Sequence, residues 1–118
     1  MGDLREQILS AKDIDEKTIR IPQWKAKVLV KGMSAKQRYR LFQVCTKSDD
    51  DEVDVEKMAI YTVIYCAHDP ASGKPIFIED DYDALSAKSG GAIDTITALA
   101  NELSGVTEAA VKAAEKNS

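Results

Sequence analysis

Apolar residues first recur at helical spacing. Leu4, Ile8 and Leu9 give the start of the chain a short amphipathic face that ends near Ser10 or Lys12. From Lys17 the period shortens. Ile19 and Ile21 flank Arg20, and after Pro22-Gln23-Trp24-Lys25 the residues Ala26, Val28 and Val30 alternate with Lys27, Leu29 and Lys31. Period two with β-branched residues predicts two strands, and the short link containing Pro22 predicts a hairpin. Trp24 in that link is placed to cover the end of the core. Gly32 ends the second strand, and Ser34-Ala35-Lys36-Gln37 has the Ser-x-x-Gln form of a capping box, so a helix is expected from about Ser34 to Lys47. Leu41, Val44 and Cys45 make its apolar face, with Tyr39 and Phe42 broadening it. The acidic run Ser48-Asp49-Asp50-Asp51-Glu52 stops the helix as a solvated loop, and Asp54 caps the next helix.

The stretch 55–67, VEKMAIYTVIYCA, is the most apolar in the chain, and helix competes with strand over it. Its β-branched and aromatic content favours a strand. Its length of about three turns and its capping Asp favour a helix buried on most sides, which is the reading adopted. His68 is then expected at the C-terminal end of that helix, where a cationic side chain suits the dipole. Asp69-Pro70-Ala71-Ser72-Gly73 is a turn by composition, and Lys74 to Ile78 returns as a short apolar run. Asp80 or Asp81 caps a helix on which Tyr82 and Leu85 share a face. After Ser89-Gly90-Gly91, Ile93, Ile96, Leu99 or Ala100, and Leu103 recur at helical spacing up to Gly105, a good left-handed C-cap. Thr107 can cap an Ala-rich helix through about Lys116, with Ala110, Val111 and Ala114 on a small apolar face. The expected fold class is α+β, mainly helical, with four to five short helices and an N-terminal β-hairpin. One domain spans 1–118, with a helical arm at 1–16 and a C-terminal helix at 106–118 that frays alone or orders against a partner.

Composition narrows the function more than it defines it. The formal charge of -4 argues against a nucleic-acid partner, since a duplex binder concentrates Lys and Arg. The one basic cluster, Lys36, Arg38 and Arg40, reads as a solvated helix face. A charged N-terminus and the lack of a long apolar run point away from a signal peptide or a membrane span and towards a cytoplasmic protein. Gly2 does not make a myristoylation motif, because position 6 is Glu. Cys45 and Cys66 read as small buried thiols. The acidic run lacks the Gly and Glu spacing of an EF-hand loop. Cys66, His68 and Asp69 on one short arc do not close a zinc site, and a Cys66–His68 nucleophile pair is the weakest of these readings. No catalytic, metal or cofactor residue is assigned.

Several pieces in order resemble the tail assembly chaperones of long-tailed bacteriophages and related defective prophages. They begin with Leu4-Arg5-Glu6-Gln7-Ile8-Leu9 before Ile21-Pro22-Gln23-Trp24, then Val28-Leu29-Val30-Lys31-Gly32-Met33-Ser34. Asp69-Pro70, Gly73-Lys74-Pro75-Ile76-Phe77, Asp80-Asp81, Leu85-x-x-Lys88-Ser89 and Glu102-Leu103-Ser104-Gly105 continue the series. Each is a generic turn or cap alone; their order carries the resemblance, which covers nearly the whole chain. Lys25 departs from it, standing where the family pattern is expected to have Gly. The resemblance implies a non-enzymatic protein of virion morphogenesis that binds the tape-measure protein, keeps it soluble and brings tail-tube subunits to it. It also implies a longer frameshifted product that contacts the tail-tube protein, action in the host cytoplasm, and absence from the mature virion. Self-association into a homo-oligomer along the partner is compatible with it. The partner-binding face is assigned to Tyr82, Leu85, Ile93, Ile96, Leu99, Leu103 and Val111. The alternative function is a structural tail or head-to-tail adaptor protein.

Overall fold

The computed structural model describes residues 3–46 and 54–105, and side-chain caps start four of the five α-helices within them. The expected C-terminal helix with Val111, and the acidic run through Glu52, lie outside the described residues. Helix α1 (Leu4–Ser10) begins where the Asp3 carboxylate accepts the Glu6 N–H at 2.8 Å. Helix α2 (Ala35–Cys45) starts with the full capping box. Ser34 Oγ accepts the Gln37 N–H at 3.2 Å, and Gln37 Oε1 accepts the Ser34 N–H at 3.0 Å. Asp54 caps α3 (Val55–Cys66) by accepting the Lys57 N–H at 3.1 Å. Ser89 caps α5 (Gly90–Leu103), and α4 (Tyr82–Ser86) comes after a 3-10 turn over Glu79–Asp81 without the expected side-chain cap, because the Asp81 carboxylate instead accepts the Ile78 N–H at 2.9 Å.

The hairpin consists of β1 (Glu16–Ile21) and β2 (Ala26–Lys31), antiparallel, with Glu16 opposite Lys31 and Ile21 opposite Ala26. A single 3-10 turn over Pro22–Trp24 joins them. Its Pro occupies the first position, where a missing N–H costs nothing. Lys25 then takes the left-handed conformation, φ 50 and ψ 40, to turn the chain into β2. This is the position where the family pattern leads one to expect Gly.

The competition over 55–67 resolves as a helix through Cys66, after which the chain becomes a strand. This strand, β3 (Ala67–His68), pairs antiparallel with β2, setting Val30 opposite Ala67 and Leu29 opposite His68. The sheet order is β1-β2-β3. His68 therefore belongs to the sheet, and the expected place at a helix end is corrected. It is buried, with Nδ1 2.7 Å from the Cys66 carbonyl oxygen, and it forms a bridge to Pro75.

The core lies where α3, α5 and the sheet meet. Ile60, Val63 and Ile64 of α3 join Ala92, Ile93, Ile96 and Ala100 of α5, and Ile21, Val28 and Val30 complete it from the hairpin. Trp24 packs half-buried on this cluster, edge-to-face with Phe77 at 6.5 Å, which is the lid role its place in the turn implies. Helix α2 packs on α3 through Leu41 and Cys45, both buried.

Candidate docking surface

The residues assigned to partner binding are mostly turned inward. Leu85, Ile93 and Ile96 are buried in the core, and Tyr82, Leu99 and Leu103 are half-buried against it. Tyr82 stacks near Tyr61 at 5.1 Å between ring centroids. Val111 falls outside the described residues. The helical spacing that singled these residues out is thus accounted for by packing within the chain.

Exposed apolar side chains lie elsewhere, on α1, at Ile14, Val55, Ile76 and Ile78, and on the outer side of α2. Tyr39 is 75% exposed and Phe42 43%, so neither broadens the core face, contrary to the expectation from spacing. Ala35, Tyr39 and Phe42 succeed one another at intervals of four and three residues, with the C-capping Thr46 beyond them, roughly a third of a turn round the helix from the buried Leu41 and Cys45. That spacing is the seam by which one helix packs on another. Shallow grooves run on both sides of the seam, one bordered by Lys36, Arg40 and Gln43, the other by Met33 and Arg38. Helix α2 carries three basic residues and no acidic one, so the seam is apolar with a positive rim.

One rim residue is fixed from below. Arg40 forms a bidentate pair with Glu79, at 3.2 Å through Nε and 3.0 Å through Nη2. The Tyr65 hydroxyl donates to the same carboxylate at 2.8 Å. These bonds tie α2 to α3 and to the 3-10 turn before α4. They hold the Glu79 carboxyl below the ordinary range, through the Arg40 hydrogen bonds first and the Tyr65 hydroxyl next. Tyr65 is pushed above its ordinary value, chiefly by burial and then by Glu79.

The groups considered for chemistry are placed as structural ones. Burial pushes the Cys66 thiol up to about 12 and, with a smaller contribution from Asp54, the Cys45 thiol up to about 11. Both are protonated at neutral pH and shielded from reagents. Among the described residues, no three His, Cys, Asp or Glu side chains converge as metal ligands, and no helix is long and apolar enough to cross a membrane.

The class defined by this architecture is an α+β domain, a three-stranded antiparallel sheet with helices packed against it. Among solved structures it is similar to the bacteriophage HK97 tail assembly chaperone, with a TM-score of 0.60 over 84% of this chain and 95% of that one. Sequence identity is 20%, so the likeness is one of fold. No protein-family model and no curated protein matches the chain.

Proposed function

We propose that this protein is a non-enzymatic tail assembly chaperone of a phage or prophage, which binds the tape-measure protein, keeps it soluble and promotes tail-tube polymerisation around it. The observation that supports this reading most is the fold likeness to the HK97 protein over nearly the full length of both chains. The surface agrees with it. A tape-measure protein is a long helical rod whose apolar face aggregates when unassembled. The outward seam of α2 offers a complementary helix-binding face, and the net charge of -4 adds solubility to any complex it coats. Tyr82, Leu99 and Leu103 retain part of their surface for the same partner. Many copies on one long chain gain avidity, so each contact can be weak.

On this reading the protein acts in the host cytoplasm during assembly. Contact with the tail-tube protein comes mainly through a longer frameshifted product. Mass spectrometry separates this from a structural tail or adaptor role: the protein should be abundant in lysates during assembly and missing from purified particles. Stoichiometric copies in mature tails would overturn the proposal.

A further inference from the structure

Among the described residues, helix α1 is an amphipathic helix that packs none of its side chains into the core. None of its residues is buried, and Leu4, Ile8 and Leu9 are 60–69% exposed. Seven residues do not sustain a helix in water by themselves, so this one needs a surface to cover. The outer seam of α2 is such a surface, and three features of the chain match the two.

The first is spacing. Leu4, Ile8 and Ala11 recur at intervals of four and three, the counterpart of Ala35, Tyr39 and Phe42. The second is charge. Residues 3–16 hold five acidic side chains against Arg5 and Lys12, whereas α2 has Lys36, Arg38 and Arg40 with no acid. Arg40 is already engaged by Glu79, which leaves Arg38 in the middle of the seam to face Glu6, and Lys36 at its tether end to face Asp13.

The third is tether length. Gly32 donates its N–H to the Asp15 carbonyl at 2.9 Å, so the end of the α1 linker is pinned beside the start of α2. The four residues 11–14 reach about 13 Å when extended. Helix α1 is about 10 Å long, as is the stretch from Ala35 to Phe42. Folded back from Asp15, α1 would run antiparallel to α2, with Ile8 over Ala35 and Tyr39 and Leu4 towards Phe42. A tether this short supplies a high effective concentration, which favours the same chain over a second copy.

We propose that α1 is a strap that closes over the Ala35–Tyr39–Phe42 seam of its own chain, and that the exposed α1 of this structure is its open position. The strap is a resident stand-in for the kind of partner the seam fits, an apolar-faced helix with acidic flanks. It keeps the seam covered until a longer helix of that kind displaces it. This self-contact does not depend on the tail-assembly reading, which survives its failure.

The test uses the full chain with labelled Leu and Ile methyls and aromatic rings. Nuclear Overhauser contacts are expected from Leu4 to Phe42 and from Ile8 to Tyr39. They should persist on tenfold dilution and be absent from a mixed-label sample that detects contacts between copies. A double substitution Leu4→Ser with Ile8→Ser should abolish them. It should also raise the affinity for an added peptide of residues 3–12 at least tenfold. No contacts in the wild type, contacts only between copies, or equal peptide affinity for both proteins would each overturn the strap.

Discussion

Gly32 lies directly against the backbone of Leu103. A Cβ at Gly32 would stand 2.8 Å from the Leu103 carbonyl oxygen, closer than such contacts occur, and the obstacle is main chain that no side-chain rotation can clear. The next residue reinforces the junction, since the Met33 N–H donates to Ser104 Oγ at 2.9 Å. The end of β2 is thereby clamped to the end of α5. Gly32→Ala is expected to lower stability by about 1–3 kcal/mol, the usual cost of overpacking. Urea unfolding followed by circular dichroism would measure it.

Lys25 carries the only positive φ among the described non-glycine residues. A left-handed L-residue costs roughly 1–2 kcal/mol, and Gly gives back part of that gain through unfolded-state entropy, so Lys25→Gly should stabilise the protein by about 0.5–1 kcal/mol. Lys25→Val should destabilise it, because a β-branched side chain tolerates this conformation least. Thermal denaturation of the two variants checks both signs.

Ile96 and Tyr39 should separate folding from docking. Ile96 is 0% exposed, and Ile96→Ala is expected to cost about 2–5 kcal/mol through lost burial and the cavity left behind. Tyr39→Ser alters a side chain that stands in solvent and should leave global stability within about 0.5 kcal/mol. If the outer seam of α2 binds a partner helix, Tyr39→Ser nevertheless weakens that binding. Paired denaturation and pull-down measurements on the two variants test the distinction.

Much of the fold is legible in the sequence, because its signals are local. The Ser34 box, the Asp54 cap and the period-two run into Val30 each act within a few residues, and all appear in the structure. The third strand is not legible. Ala67 and His68 are too short to show a period, and only the presence of Leu29 and Val30 alongside makes them a strand. The exposed apolar stripe of α2 is hidden for a related reason. Ile93, Ile96, Tyr39 and Phe42 all sit at helical spacings, and spacing does not say which stripe meets the core. The clue for α2 is that it carries two apolar stripes. A helix with one neighbour can bury only the one holding Leu41 and Cys45.

Glu79 makes a defined contribution to pH dependence. Its folded-state pKa is lowered by Arg40 and Tyr65, so its stabilising effect is fully present above the ordinary value of 4.5. It is lost as the pH falls through the lower folded-state value. The carboxylate is 38% exposed, so the effect is modest and weakens with salt. Between about pH 6 and pH 3, Glu79→Gln should lose less Tm than the wild type. Identical acid profiles for the two would show that the cluster with Arg40 does not couple to folding.

Whether this small acidic protein holds a tape-measure protein in solution is tested most directly by co-expression. The quantity to measure is the soluble fraction of the tape-measure protein from the same phage or prophage, expressed with and without this chain. Co-expression is expected to move the partner from the pellet to the supernatant as a complex with this chain, and Tyr39→Ser with Phe42→Ser to reduce the transfer. A tape-measure protein that stays equally insoluble in the presence of the wild-type chain would contradict the proposed function.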